Sequence, residues 1–250
     1  MIAWAVFADR GPQMKKLLFA AIASAIFAPP TFAADLPVKA PPAPVAALYN
    51  WSGFYIGGDA GYFWGRTHEQ NVGAAVLDAY PEPSGFSGGV HAGYRHQFAS
   101  IVLGVEADWD WLGSNTAAAT YSLGFPADAR IKFNDSNSVR GIAGYAIDRS
   151  LLYITGGASW LRYKGCESDF GHTATCFPGI PEQSTNALGW TLGGGYAYGF
   201  TNNLVGRIEY LYADYGTKSL ASPGFGNGIT TYEVKTHTVR VGLSWKFGPF

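Results

Sequence analysis

The segment THTVRVGLSWKF, residues 236–247, alternates between apolar side chains and polar or small ones. In an extended strand the apolar set would share one face, which carries Val239, Val241, Leu243, Trp245 and Phe247. The other face would carry Arg240, Gly242, Ser244 and Lys246. Side chains alternate across a strand with period two, so the segment predicts a strand between two different media. The apolar face ends in aromatic residues and the pattern recurs along the chain, which favours a transmembrane β-barrel over a soluble sandwich.

The composition agrees with a barrel wall. The chain has 250 residues, of which 33 are glycine, 16% are aromatic and only 14% are charged. An ordinary soluble domain has roughly 25% charged residues. Glycine permits strand bending and close packing inside a barrel, and Tyr and Trp suit the two water–lipid interfaces. The formal net charge of -1 provides no electrostatic footprint for nucleic acid.

The N-terminal region predicts a targeting segment followed by a linker. A basic segment at residues 14–16 (MKK) precedes an apolar run at residues 17–28. That run is too short to span about 30 Å of hydrocarbon as a helix, and the TFA sequence ending at Ala33 resembles a cleavage site. We predict a signal peptide over residues 1–33, with Met14 as the true start. The proline-rich residues 34–48 then form an extended periplasmic linker, and residues 49–250 form the barrel.

The period-two pattern predicts an all-β fold, an eight-stranded antiparallel up-and-down transmembrane barrel. The predicted strands are residues 53–64, 86–98, 101–111, 138–147, 152–163, 187–198, 204–215 and 236–247. Long connections alternate with short ones, the long ones being residues 65–85, 112–137, 164–186 and 216–235. Short periplasmic turns and long outer loops are typical of outer membrane barrels. Side chains fill the interior of so narrow a barrel and leave no wide channel.

Charged side chains recur on the inward face of these strands. They are Asp59, Arg95, Glu106, Asp108, Asp110, Arg140, Arg207, Glu209, Arg240 and Lys246. Buried charges need partners, so we predict a salt-bridge network; the alternative is an ion path or gate, which the narrow interior disfavours. Glu106, Asp108 and Asp110 follow one another about 6.6 Å apart, a spacing compatible with acid–base catalysis. Inward alternation already explains them, so we predict no catalysis.

Cysteine and histidine offer few further candidates. Cys166 and Cys176 are the only cysteines, and export to an oxidising compartment predicts a disulfide between them. A metal site there would need more ligands than the neighbouring His172. His68, His172 and His237 would form a haem or metal site only if the outer loops brought them together. We therefore predict neither a metal nor a cofactor.

Four segments carry a family resemblance. They are residues 51–58 (WSGFYIGG), 139–141 (VRG), 206–212 (GRIEYLY) and 239–243 (VRVGL). Their order and spacing resemble the alphaproteobacterial small outer membrane proteins of the Omp25/Omp31 porin-like family over about residues 49–247. The resemblance implies a barrel in the cell outer membrane with roles in envelope integrity and surface contact. A small porin or a haemin-binding receptor is the alternative, and the resemblance supplies no catalytic residues.

Two features of that family can be placed on this chain. Its terminal aromatic residue, read by the barrel-assembly machinery, matches Phe247, but this chain continues to Phe250, so either residue is a candidate for the assembly signal. Some members begin after cleavage with Ala-Asp, whose amine is joined to peptidoglycan, and Ala34-Asp35 matches if cleavage follows Ala33. The resemblance thus implies outer membrane lipid and the assembly machinery as partners. Peptidoglycan is a further partner if the Ala34 amine is attached; the alternative is that Ala34 and Asp35 are ordinary residues beside a cleavage site.

Overall fold

The described part of the chain is almost entirely strand. The computed structural model describes residues 49–72, 76–114, 116–122, 127–169, 176, 182–222 and 228–248. The strands are β1 (Gly53–Val72), β2 (Val76–Ala79), β3 (Ser84–Phe98), β4 (Ile101–Ser114), β5 (Ala117–Thr120), β6 (Ala127–Ile147), β7 (Ser150–Asp169), β8 (Gln183–Gly199), β9 (Leu204–Ser222) and β10 (Gly228–Phe247). The predicted signal peptide, the predicted linker and Phe250 lie outside these residues. None of the residues described forms a helix long and apolar enough to cross a bilayer.

Eight of the strands form one closed antiparallel ring in chain order, and β10 pairs with β1 to complete it. The two short strands lie off the ring, because β2 folds back on β1 and β5 pairs only with β6. The register defines the shear of the barrel, since the row of partners that leaves β1 at Phe54 returns to β1 at Trp64. That row passes through Tyr94, Val105, Gly141, Gly156, Leu192, Tyr212 and His237. A shift of about ten residues over eight strands tilts the strands by about 40°.

The eight-stranded antiparallel barrel is confirmed, but most strands are longer than predicted. β6 begins at Ala127 instead of residue 138, and β10 begins at Gly228 instead of residue 236. Much of the four predicted outer loops is therefore paired strand that continues the barrel wall. The prediction ended the strands early because the pattern inverts there. Inward Phe133 and Tyr163 are buried, whereas outward Lys132 is exposed, as in a soluble barrel.

An apolar belt surrounds the part of the barrel nearest the short turns. Its exposed side chains include Ile56, Val105, Ile154, Ile208 and Val241. Two rows of aromatic side chains flank the belt. The lower aromatic row, near the turns, contains Phe54, Tyr94, Tyr145, Tyr198 and Phe247. The upper aromatic row, at the far side, contains Trp64, Trp109, Trp160, Trp190 and Tyr210. The ten-residue step from Phe54 to Trp64 is about 33 Å along the tilted strand, or about 25 Å along the barrel axis. This height matches the hydrocarbon band of outer membrane barrels.

The belt predicts a position-dependent cost for charge. Val241 is 55% exposed and lies midway along β10 between the aromatic rows. Val241→Arg should cost about 2–4 kcal/mol, the usual cost of a cation near the bilayer midplane, and reduce the assembled fraction. Ser184→Arg is the control, because Ser184 is exposed on β8 beyond the upper row. Heat-modifiability gels of membrane fractions measure assembly, and equal behaviour of the two variants would contradict the lipid-facing belt.

Candidate functional site

Three layers fill the barrel interior from the short turns outward, and a small further cluster of Leu77, Ala79, Tyr121 and Ala129 lies beyond them. The layer nearest the short turns is an apolar cluster of Tyr49, Trp51, Val102, Ile142, Ala146, Leu151, Tyr153, Ala197 and Val205. The middle layer, the charged layer, contains Asp59, His91, Arg95, Glu106, Asp108, Asp110, Arg140, Arg207, Glu209 and Arg240, all buried. The outer layer is an apolar cluster of Phe63, Ile131, Phe133, Leu161, Tyr163, Ala187, Ala213, Tyr215, Tyr232 and Val234. The charged layer is thus enclosed between two apolar layers.

The alternation of side chains along each strand determines which charged residues face the interior and form the charged layer. Asp59, Arg207 and Arg240 come from three consecutive strands of the ring, and their side chains converge because all three positions face inward. Glycines at neighbouring inward positions make the room that these side chains need. A Cβ at Gly242 would lie 2.2 Å from Oδ1 of Asp59, and one at Gly93 would lie 2.4 Å from the hydroxyl of Tyr55. The interior therefore accommodates large polar groups opposite residues without side chains.

Arg207 joins two carboxylates across the barrel. Its Nε donates to Oδ1 of Asp59 at 3.1 Å, and its Nη2 donates to both carboxylate oxygens of Asp59 at 3.0 and 2.9 Å. Its Nη1 donates to Oε2 of Glu106 at 2.6 Å. Charge-assisted bonds of this forked kind are about twice as strong as neutral ones, so Arg207 fixes β1 and β4 relative to β9.

Arg140 and Arg240 extend the network through shared carboxylates. Nη2 of Arg140 donates to Glu106 at 2.6 Å and to Asp108 at 3.0 Å. Nε of Arg240 donates to Glu209 at 2.9 Å, and its Nη1 donates to Asp110 at 2.7 Å. The Oε2 atom of Glu209 lies 3.2 Å from Nη1 of Arg140, so the two guanidinium groups meet at one carboxylate. The contacts form one connected set across four strands.

Hydroxyl and imidazole groups complete the layer. Tyr55 donates to Oε2 of Glu106 at 2.8 Å, Tyr153 donates to Oε1 of Glu209 at 3.0 Å, and Ser138 donates to Oδ2 of Asp108 at 2.6 Å. His91 lies 2.6 Å from both Oδ2 of Asp59 and Oγ of Ser244. The two tyrosines and Ser138 were not predicted as members of the network, although the period-two alternation of their strands places them on the inward face.

Arg95 is held differently from the other three arginines. Its guanidinium carbon lies 4.3 Å from the ring centre of Tyr55, and the rings of Trp51 and Tyr153 lie 6.0 and 5.8 Å away. Its nearest carboxylate oxygen, in Glu106, is 3.9 Å from Nη2. Nε and Nη2 find no hydrogen-bond acceptor among the described residues. Arg95 is therefore stabilised chiefly by cation–π contact and connects the charged layer with the apolar layer beneath it.

Lys246 does not join the charged layer, in contrast to the predicted network. Its Nζ donates to the carbonyl oxygen of Asn50 and lies 4.5 Å from the ring centre of Tyr49. The inward position was predicted correctly, but Lys246 is only one residue from the end of β10 and so lies below the other charges. Its role is to hold the segment that precedes β1.

That segment, Tyr49–Trp51, forms a plug at the turn side of the barrel. Trp51 is 1% exposed; its backbone N–H donates to Oε1 of Gln97 at 2.8 Å, and its indole N–H donates to the carbonyl of Asp148 at 3.0 Å. Tyr49 packs so closely on the opposite wall that a Cβ at Gly199 would lie 2.6 Å from its ring. These residues were predicted to be the start of the barrel before its first strand, and the plug was not predicted.

The charged layer has little free space around it. A cavity of about 30 Å³ lies between the charged layer and the outer apolar layer, with Asp108, Asp110, Ser159, Thr191 and Tyr215 among its lining residues. This volume accommodates one or two water molecules. Below the layer, Trp51 and Tyr49 occupy the centre of the barrel. The arrangement can fix strands and neutralise charge, and the described side chains around the carboxylates leave room only for water.

The cysteines and histidines lie away from this layer. Cys166 and Cys176 form a disulfide in the structure. His68 lies 2.8 Å from Oδ1 of Asp78, and this hydrogen bond lowers the pKa of Asp78 below its usual value. His237 is stacked on Trp64 and lies 2.7 Å from the hydroxyl of Tyr210. His172 lies outside the described residues, among which no three metal-ligating side chains come together.

The remaining predicted sites are the assembly-signal candidates Phe247 and Phe250 and the attachment residue Ala34. Phe247 is 50% exposed and pairs with Phe54 where β10 meets β1. Ala34 and Phe250 lie outside the described residues. The structure thus places Phe247 on the lipid-facing seam of the barrel.

Comparison with known proteins agrees with the geometry. Residues 36–247 match the outer membrane protein beta-barrel domain family. The chain is 35% identical over 250 residues to the 31 kDa outer-membrane immunogenic protein of Brucella melitensis, an alignment that covers 94% of this chain and 100% of that protein. It is 30% identical over 242 residues to the 25 kDa outer-membrane immunogenic protein of Brucella abortus, covering 94% and 99% of the two chains.

A solved structure shows the same fold. The crystal structure of the outer membrane protein OprG from Pseudomonas aeruginosa aligns with a TM-score of 0.50 at 14% identity, covering 79% of this chain and 97% of that one. A closed antiparallel ring with an apolar belt and a polar filled interior defines an outer membrane β-barrel protein. The chain belongs to the outer membrane β-barrel family, and within it to the Omp25/Omp31 group, and its location is the outer membrane.

The network predicts a large cost for removing one central cation. Arg240→Leu leaves Glu209 and Asp110 without their main partner, so it should destabilise the barrel by about 3–5 kcal/mol. Adding Glu209→Leu should recover part of this loss by removing one unpaired carboxylate. Lys235→Leu, at an exposed ion pair on the same strand, should cost at most about 1 kcal/mol. Urea unfolding in detergent micelles measures all three, and equal losses for Arg240→Leu and Lys235→Leu would argue against a buried network.

Proposed function

We propose that this protein is a non-catalytic structural barrel of the outer membrane, which supports envelope integrity and displays its outer hairpins to surface partners. The observation that carries the proposal is the combination of a sealed interior with an N-terminal segment fixed inside the barrel. A sealed barrel suits a role as an anchor better than a role in transport.

The sealed interior disfavours the small-porin alternative. Each arginine of the charged layer is engaged by carboxylates or by aromatic rings, so a passing ion would have to replace these contacts. Apolar side chains close the interior above and below, and an ion in such a region loses its hydration without compensation. The described residues also give no support to a haemin site, since His68 and His237 are each held by other side chains.

The same contacts support the proposal that the barrel is not catalytic. Glu106, Asp108 and Asp110, the side chains that most resemble an acid–base set, accept hydrogen bonds from arginines within the layer. An acid–base residue must reach the proton that it transfers, directly or through one water molecule. The enclosed carboxylates are out of reach of any substrate larger than water. We assign them to holding the strands together.

The plug supports an anchoring role. The N-terminal chain continues into the plug, Tyr49–Trp51, which is hydrogen-bonded to Gln97, Asp148 and Lys246. A pull on the N-terminal chain would therefore be resisted by three separate parts of the barrel wall. Attachment of the Ala34 amine to peptidoglycan, which the family resemblance implies, would use the plug to connect the cell wall to the membrane.

Planar-bilayer recording tests the sealed interior. We expect the purified protein to insert without steady conductance steps, because Trp51 and the charged layer fill the barrel. A general porin prepared in the same detergent serves as the positive control. Reproducible steps that scale with the amount of inserted protein would contradict the proposal and favour the small porin.

The plug itself can be tested by substitution. Trp51→Ala removes a fully buried aromatic side chain and a hydrogen bond to Asp148, so we expect a loss of about 3–5 kcal/mol in urea unfolding. Trp109→Ala, on the lipid-facing side, should cost much less because that indole is half exposed. An unchanged unfolding curve for Trp51→Ala would show that the plug does not hold the N-terminal segment.

Attachment to the cell wall has a direct chemical readout. Mass spectrometry of muropeptides after protease digestion should find Ala34 joined to a peptidoglycan stem peptide. A strain that lacks the protein should become sensitive to detergent, and the unmodified chain should restore resistance. If only free Ala34 is found, the proposed attachment is wrong, whereas the detergent assay tests envelope integrity separately.

A further inference from the structure

Four cations lie on the outward face of β6 and β7 beyond the upper aromatic row: Lys132, Arg162, Lys164 and, further out, Arg130, whose Nη1 lies 4.0 Å from Sγ of Cys166. We call Lys132, Arg162 and Lys164 the β6–β7 basic patch. Arg162 lies two residues beyond Trp160 on β7 and Lys164 lies four residues beyond it, which is about 5 and 10 Å further along the barrel axis. Since the aromatic rows mark the membrane interfaces, the patch lies level with the head groups of the outer leaflet.

The charges of the patch are incompletely neutralised. Lys132 and Lys164 are direct partners across β6 and β7, and like charges in that position destabilise a strand pair. Nζ of Lys164 lies 2.8 Å from Glu182, and Nη1 of Arg162 lies 3.5 Å from Asp135. Lys132 is exposed, and none of the ion pairs among the described side chains involves it. Among the described side chains, the three cations of the patch thus face two carboxylates, and an anion between the two lysines would relieve their repulsion.

Tryptophans line the membrane side of the patch. Trp109 on β4 and Trp160 on β7 both pair with Asn137 of β6, so they flank that strand. Trp111 continues this surface, with its ring centre 5.6 Å from that of Trp109. Indole rings suit the boundary between acyl chains and polar head groups. A ligand for this surface therefore has an apolar body next to the tryptophans and an anionic group above it.

The opposite side of the barrel shows that this arrangement is local. There Lys235 pairs with Arg66 across β1 and β10, again a like-charge pair. However, Nζ of Lys235 lies 2.5 Å from Glu233, and Asp214 is its partner on β9. The neighbouring Glu82 is exposed as well. Carboxylates outnumber cations on that side, so it provides no comparable attraction for an anion.

We propose that the β6–β7 basic patch binds the anionic head group of an outer-leaflet glycolipid of the lipid A class. Lys132 and Lys164 contact one phosphate or carboxylate group, Arg162 contacts the sugar below it, and the tryptophans contact the upper acyl chains. Glycolipids of this class form the outer leaflet of Gram-negative outer membranes and carry such charges at this depth. The site goes beyond the structural role, and it requires neither the plug nor the attachment at Ala34.

Titration of the purified protein tests the site. Rough-type lipopolysaccharide is added to the protein in a zwitterionic detergent, with tryptophan fluorescence reporting occupancy and native mass spectrometry counting bound glycolipid. The double variant Lys132→Gln/Lys164→Gln should bind about tenfold more weakly, since it loses two charge-assisted contacts. Lys235→Gln is the matched control and should bind like the unmodified protein. Heat-modifiability gels establish that each variant is folded.

Each outcome decides the proposal. Weaker binding of the double variant alone, resistant to an excess of inorganic phosphate, supports a glycolipid site. Full competition by inorganic phosphate would overturn it, because the patch would then be an anion site without lipid specificity. Equal binding by the double variant and the unmodified protein would also overturn it, and so would an equal loss in Lys235→Gln, which would indicate general charge attraction.

Discussion

The pairing of β10 with β1 is the constraint on which the rest of the structure depends. A bilayer contains no water to satisfy backbone N–H and C=O groups, so a sheet can span it only as a closed ring. The register from Phe54 opposite Phe247 to Val72 opposite Ile229 completes that ring along the full length of both strands. Closure with eight strands and the observed shear fixes a narrow interior, and the side chains within it must then fill and neutralise that volume by themselves.

The three interior layers fill this volume in different ways. Apolar side chains fill the two ends mainly by packing, whereas the middle layer uses charges of both signs that are mutually bonded. A buried ion pair is weak evidence for added stability, but breaking one leaves an uncompensated charge and is costly. The layer around Arg140, Arg207 and Arg240 therefore specifies one relative arrangement of the strands more than it adds to their total stability.

The sequence was sufficient to predict the ring of strands and most of the charged residues in its interior. Eight strands, their facing and the inward charges followed from the period-two pattern, because lipid and interior impose opposite preferences on neighbouring side chains. The outer extensions were missed because water replaces lipid there and reverses the preference, as at Lys132 and Phe133. The position of a side chain along the barrel axis could not be predicted from the sequence either. Lys246 and Arg240 share a face of β10, but only the closed ring shows that they lie in different layers. The plug was missed because a single buried Trp51 has no periodic signal.

The plug also makes closure of the ring visible at a single residue. Its partners belong to different hairpins, since Gln97 is the next-to-last residue of β3, Asp148 lies in the turn between β6 and β7, and Lys246 belongs to the last strand. The contacts of Tyr49–Trp51 therefore require all of these hairpins to be in place together. Burial of the Trp51 indole is thus a property of the closed barrel and not of any one hairpin.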